Sequence, residues 1–132
     1  MSEENIELVR ACYERFNGDD VDGFLGLCVP DFEFRDLPGL PGSGVFTGHD
    51  AFRAWFAQMS EALDDLRFEP EEFIDAGNQV VVVNSATASG RGSGAAVETH
   101  FSNVWTLRDG KAVSAVSYDT HAEALEAAGL SE

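Results

Sequence analysis

Positive charge is scarce in this chain: of 132 residues, 8 are Lys or Arg against 24 Asp or Glu, giving a formal net charge of −16. Recognition of a phosphate backbone needs clustered cations, so this balance excludes a nucleic-acid-binding reading. It argues equally against docking on an anionic membrane surface. Such a charge keeps a protein soluble and by itself indicates no cationic substrate. Cysteine is scarce too. Cys12 and Cys28 form no CxxC, and no Cys/His cluster has zinc spacing, so no metal site is expected. Both sit in stretches that read as helix beside apolar neighbours, which predicts buried free thiols rather than a disulfide. The opening Met-Ser-Glu-Glu-Asn lacks the basic start and apolar stretch of a signal peptide. No apolar run approaches the ~20 residues of a membrane span. The expectation from these absences is a cytoplasmic protein with no membrane association.

What is present suffices for one core. The chain is 44% hydrophobic and close to the commonest length of a single domain. No repeat, linker or composition shift divides it, so residues 1–132 are read as one domain.

Periodicity supplies the elements. Ile6, Val9, Tyr13 and Phe16 recur at steps of three and four, predicting a helix over Glu3–Phe16 that Asn17 and Gly18 end. Asp19 or Asp20 caps a second, short helix with Val21, Phe24, Leu25 and Cys28 on one side, stopped by Pro30. Phe32 and Phe34 alternate with Glu33 and Arg35, which reads as a strand over 31–36. Residues 37–48 are rich in Gly and Pro and read as a loop. Thr47 and Asp50 have the spacing of a capping box for a third helix, whose face is Phe52, Trp55, Phe56, Met59 and Leu63. Four strands follow, at about 67–75, 80–88, 95–107 and 112–120, separated by Gly77-Asn78, Gly90–Gly94 and Asp109-Gly110. A short terminal helix spans 122–128. Parallel strands need long crossovers, so these four strands are mainly antiparallel. Three amphipathic helices need an apolar surface, and the inner face of that sheet is the one large enough. The expected fold is α+β: a cone-shaped, curved antiparallel sheet wrapped around N-terminal helices, a cystatin-like α+β roll with a mostly apolar pocket.

Strand parity sorts the candidate site residues. Between 97 and 107, one face carries Val97, Thr99, Phe101, Asn103, Trp105 and Leu107, and this apolar face should point inward. Asn103 then lies between Phe101 and Trp105 and must find hydrogen-bond partners. The opposite face, with Glu98, His100, Ser102, Val104 and Thr106, should lie outside the cone. In the last strand Val113, Ala115, Ser117 and Asp119 share one face; small Ala115 and Ser117 leave room for a ligand. Asp36, before Leu37-Pro38-Gly39, is either a loop-initiating Asp or a site carboxylate at the pocket rim, beside a lid formed by residues 37–48. Asp119 is either an N-cap of the terminal helix or an inward carboxylate. His49, His100 and His121 show no ligand-like spacing. Gly90–Gly94 lacks the Lys and following helix of a phosphate loop and reads as a turn.

Five segments carry a resemblance. Tyr13-Glu-Arg-Phe-Asn-Gly-Asp-Asp20, Pro30-Asp-Phe-Glu-Phe-Arg-Asp36, Phe46-Thr-Gly-His-Asp50, Val104-Trp-Thr-Leu-Arg-Asp-Gly-Lys111 and Glu123-Ala-Leu-Glu-Ala-Ala-Gly-Leu130 together resemble the SnoaL-like proteins. These belong to the superfamily of ketosteroid isomerases, limonene epoxide hydrolases and nuclear transport factor two. The resemblance implies that Asp36 matches the isomerase base and Asp119 the general base of the SnoaL polyketide cyclases. It puts Tyr13 near the isomerase's oxyanion-hole tyrosine. Asn103 stands where the isomerase has a protonated aspartic acid; an amide is a weaker partner for a developing enolate. Trp55 and Phe56 match pocket-lining aromatics, and Phe52, Met59, Phe101, Trp105 and Ser117 complete the expected substrate contacts. The epoxide hydrolase pattern needs an inward Arg between two Asp, which the relevant strand lacks.

The function implied is cofactor-free removal of a proton next to a carbonyl of a steroid- or polyketide-like substrate, by an isomerase or a cyclase. The alternative is a non-catalytic module holding an apolar small molecule. Relatives dimerise through a mixed apolar sheet face, so a homodimer through the outer face is expected.

Overall fold

The computed structural model describes residues 2–37 and 44–130. The elements are α1 (Ser2–Asn17), α2 (Val21–Gly26), β1 (Cys28–Arg35), β2 (Val45–Thr47), α3 (His49–Ala62), β3 (Leu63–Ala76), β4 (Gln79–Gly90), β5 (Ala96–Arg108), β6 (Lys111–Tyr118) and α4 (His121–Ala127). The strands form one sheet in the order β2-β1-β6-β5-β4-β3. The sheet is open and curved, and α1, α2 and α3 pack on its inner face, as the α+β reading requires.

Local chemistry accounts for most boundaries. The Asp20 carboxylate accepts from Gly23 N–H and caps α2. At the β5–β6 hairpin both central residues are left-handed, Asp109 at φ 53° and Gly110 at φ 77°. That is the backbone twist a two-residue hairpin needs. β3 to β6 are joined antiparallel throughout.

Four expectations need correction. First, the last four strands are antiparallel as read, but β1 joins them by pairing with β6 in parallel, Arg35 opposite Val116, so the whole sheet is mixed. The connection between these strands runs through most of the chain, which supplies the crossover that parallel pairing demands. Second, α2 stops at Gly26, so Cys28 opens β1 instead of closing a helix; Pro30 lies inside that strand, where the register with β6 shifts and no ladder bond is lost. Cys28 and Cys12 are buried free thiols, and the neighbouring Cys12 thiol, followed by burial, pushes the Cys28 thiol well up. Third, Thr47 ends β2, and Gly48 is the N-cap of α3 without a side-chain cap. Gly48 takes φ 92° and donates its N–H to Phe32 O. Fourth, α4 lies against the outer face: Ala124 and Leu125 pack on Val81 and Val104, so Ser102 and Val104 are covered rather than open.

The core is aromatic. Phe16 stacks on Phe68 at 4.8 Å, and Phe24 stacks on Phe52 at 4.8 Å. Phe52 also meets Phe32, Phe34 and Trp55. The end of α1 is clamped to β3 by Asn17, whose amide donates to Phe68 O at 2.8 Å and accepts from Phe68 N–H at 2.9 Å. This replaces a ladder partner along the edge strand. Among the described residues no helix is long and apolar enough to cross a membrane.

Phe52 is 2% exposed at the centre of these rings. Phe52→Ala is expected to cost about 3–5 kcal/mol of stability, from lost burial and an unfilled cavity. Urea unfolding checks this.

Candidate functional site

Between the inner sheet face and α3 lies a cavity of about 210 Å³. Its walls are mostly apolar: Phe34, Trp55, Met59, Phe68 and Phe101 among them. β5 parity is as expected, since Val97, Thr99, Phe101 and Asn103 all face it. A smaller inner cavity of about 30 Å³ adjoins it, sharing Phe34, Trp55, Phe68 and Asn103 and reaching Tyr13, Phe52 and Trp105.

Across this apolar face runs a row of polar side chains, three from neighbouring strands and one from the residue after β1. Asp36 follows the end of β1. The parallel register pairs Phe34 with Ala115 and Arg35 with Val116, and the residues that follow, Asp36 and Ser117, line the same cavity. Ser117 is directly opposite Asn103 on β5. Asn103 faces Val82 on β4, with Asn84 as its diagonal neighbour. Asn84, Asn103 and Ser117 are all at least 95% buried, at 1%, 5% and 5% exposure.

Buried polar atoms need partners, and the row supplies them in one direction. Trp105 Nε1–H donates to Tyr13 Oη at 3.3 Å. Tyr13 O–H donates in turn to Asn103 Oδ1 at 3.0 Å. Asn84 Nδ2 donates to the same oxygen at 2.8 Å and to Val82 O at 3.3 Å. Since Oδ1 is held by two donors, the other end of the Asn103 amide must be the donor, and Nδ2 reaches Ser117 Oγ at 2.8 Å. Asn84 Oδ1 is buried with no hydrogen-bond partner among the described residues. At the mouth, Asp36 is half-buried. Its Oδ2 accepts from Trp55 Nε1 at 3.1 Å and its Oδ1 from Leu37 N–H at 2.8 Å.

The predicted residues fall into three groups. Asp36, Trp55, Met59, Phe101, Asn103 and Ser117 line the main cavity. Tyr13, Phe52 and Trp105 line the inner one, behind Asn103. Phe56 packs on Phe16 at 5.5 Å and lines a separate surface depression. Asp119 is the clear correction. Parity groups it with Ala115 and Ser117, but β6 ends at Tyr118, and beyond the last ladder pair the alternation no longer applies. Asp119 is exposed and does not line the main cavity; it borders a separate depression that also includes Asp36, Ser117, Arg35 and Glu123, and it is not the helix cap. Thr120 caps α4, accepting from Glu123 N–H. The Pro-Gly step after Asp36 and most of the expected lid, residues 38–43, lie outside the described residues. Asn84 was not singled out in the sequence; a single polar residue in phase with Val80 and Val82 is the signal that marks it. Among the described residues no three His, Cys, Asp or Glu side chains gather as a metal site.

An α+β cone with helices inside a curved six-stranded sheet and a cavity at its mouth defines the NTF2-like class. The chain belongs to the SnoaL-like domain family, whose model matches residues 9–115. It is 30% identical to TerC, solved in co-crystals with polyporic acid, over 96% of this chain and 98% of that one, with a TM-score of 0.77. It is 27% identical to an NTF2-like protein of unknown function from Burkholderia pseudomallei, over 93% and 95% of the two chains, with a TM-score of 0.79. A Jannaschia protein assigned as a SnoaL-like polyketide cyclase shares the fold at 20% identity, over 96% and 92% of the chains, with a TM-score of 0.76. No curated protein matches the chain.

Tyr13 carries a pH signature. Burial holds its hydroxyl well above the ordinary value of 10.0. Above pH 10 the unfolded chain therefore sheds a proton that the folded chain keeps, so stability falls as pH rises. The expected loss is about 1.4 kcal/mol per pH unit beyond 10, until the folded hydroxyl itself ionises. Tyr13→Phe lacks that slope, and chemical denaturation of both proteins between pH 9 and 11 shows the difference. At neutral pH the same variant is expected to be about 1–3 kcal/mol less stable, because Trp105 N–H loses its acceptor.

Proposed function

We propose that this protein takes an apolar, carbonyl-bearing small molecule into the main cavity, and that Asp36 removes a proton from the carbon next to the carbonyl. One observation carries the reading: among the described residues lining that apolar cavity, Asp36 is the single ionisable side chain. The Trp55 and Leu37 N–H groups fix both its oxygens, so the carboxylate is aimed before a ligand arrives.

The step balances without a cofactor. The C–H proton moves to an Asp36 oxygen, and the C–H electron pair delocalises onto the carbonyl oxygen as an enolate. A hydrogen-bond donor from the polar row stabilises that oxygen. Asp36 then returns the proton to another carbon, which is isomerisation. Alternatively the enolate carbon adds to a second carbonyl and the new alkoxide takes the proton, which is cyclisation. Steroid- and polyketide-like ketones are the substrate classes that fit such a step. The co-crystal of TerC with polyporic acid supports small-molecule binding at this fold, and the Jannaschia fold relative supports the cyclase form.

A second reading is favoured by Tyr13. Its hydroxyl is spent on Asn103, and its ring lies against the inner cavity. With an amide at 103 in place of an acid, the oxygen site is weaker than an isomerase needs, which suits a binding module. The buried thiols fit a cytoplasmic setting in either reading. The outer sheet left open by α4, with half-buried Val116, is proposed as a homodimer face; light scattering giving a 14.3 kDa monomer at micromolar concentration refutes it.

The activity test is direct. Purified protein is incubated with a 5-ene-3-ketosteroid, and the conjugated enone is followed by its absorbance. Turnover that falls about 10²-fold or more in Asp36→Asn supports the catalytic reading. The amide keeps an oxygen for Trp55, so the fold survives the change. Saturable binding without turnover assigns the module.

A further inference from the structure

We infer that the donor presented to the ligand's oxygen is the Ser117 hydroxyl, and that Trp105, Tyr13, Asn84 and Asn103 are positioning residues which set its direction. The inference rests on the pocket reading above and names the chemistry that the pocket selects: a hydrogen-bond acceptor.

The argument is one of direction. A hydroxyl offers one hydrogen and two lone pairs. Ser117 Oγ accepts from Asn103 Nδ2, and among the described residues its own O–H donates to none. Ser117 lines the main cavity, so that hydrogen is open to an occupant; the Thr87 and Thr99 hydroxyls also line it, but among the described residues no buried amide donates to them. Its polarity is imposed from behind. Indole N–H is donor only, which makes Tyr13 Oη the acceptor and turns its O–H onto Asn103 Oδ1. Asn84 adds a second donor to the same oxygen. An amide oxygen held by two donors polarises the amide, strengthens its N–H, and so strengthens the hydroxyl that accepts it. Asn84 spends both its hydrogens, on Asn103 Oδ1 and Val82 O, and its own Oδ1 is left bare and buried. An orphaned acceptor is costly. Its presence accords with Asn84 acting to orient Asn103 rather than merely to satisfy itself.

Position completes the case. Ser117 and Asp36 line the same cavity, each one residue beyond the Arg35–Val116 pair of β1 and β6. A carbonyl oxygen and the hydrogen on its adjacent carbon require a donor and a base facing one space. Asn103 lies one strand further from Asp36 and has Ser117 between them.

The test compares two bicyclic probes of similar shape, 2-tetralone and tetralin, which differ by a carbonyl. Affinities are measured by calorimetry for the wild type, Ser117→Ala, Ser117→Cys and Trp105→Phe. The wild type is expected to prefer the ketone by about three- to tenfold, the range of one hydrogen bond. Ser117→Ala should lose that preference and bind tetralin unchanged, while Ser117→Cys keeps the volume and retains only part of it. Trp105→Phe, remote from the main cavity, should reduce the preference two- to threefold. A ketone preference that persists in Ser117→Ala, or is absent from the wild type, overturns the inference and leaves the pocket reading standing. If neither probe binds the wild type, the pocket reading fails and this inference with it.

Discussion

Burying the Asn103 amide between Phe101 and Trp105 is the constraint on which this structure turns. An amide placed in an aromatic wall must have every group answered or it costs several kcal/mol. The answer draws in α1 through Tyr13, β4 through Asn84 and β6 through Ser117. One side chain thus fixes how the first helix sits on three strands. The apolar packing around it is tolerant by comparison, because rings such as Phe16, Phe24 and Phe52 meet at several angles and distances. Packing holds the helices on the sheet; the amide sets where they stop.

The same constraint separates stability from chemistry. Tyr13 and Trp105 form the inner end of the row, away from solvent, where their role is to be invariant in direction. Asp36 and Ser117 form the outer end, against free volume. Asp36 is tied by Trp55, a residue of α3, so the helix that roofs the cavity also aims its carboxylate. Changes in the roof and changes in the acid are therefore coupled, and additivity between them is not to be expected.

Much of this was legible from residue order. Helical spacing in α1 and α3, the Asp-Gly hairpin and the alternation in β5 depend on local rules, and each element formed, although α3 starts without the Thr47 cap and ends before Leu63. Asn103 was legible as a buried amide in need of partners. What escaped were features decided by neighbours far along the chain. The parallel pairing of β1 with β6 has no local signature, and without it the adjacency of Asp36 and Ser117 is invisible. α4 has too few residues to declare which sheet face it covers. Asp119 shows the limit of parity: alternation is a property of paired backbone, and it lapses one residue past the ladder. Asn84 directly follows a run of four valines, and its inward phase became meaningful only once Asn103 was known to lie diagonally opposite.

The β1–β6 seam has a consequence for how the site comes into being. Hairpins such as β5–β6 close short loops and can form early, whereas joining β1 to β6 closes a loop spanning most of the chain. The acid and its neighbouring hydroxyl meet across that last, slowest seam. Loop-closure entropy thus makes the cavity an expected late product of folding, at an edge where short β2 alone lies beyond β1. Loss of the site and loss of the fold are separate events in such a molecule, and a chain can keep its β3–β6 meander while its reactive groups have already parted.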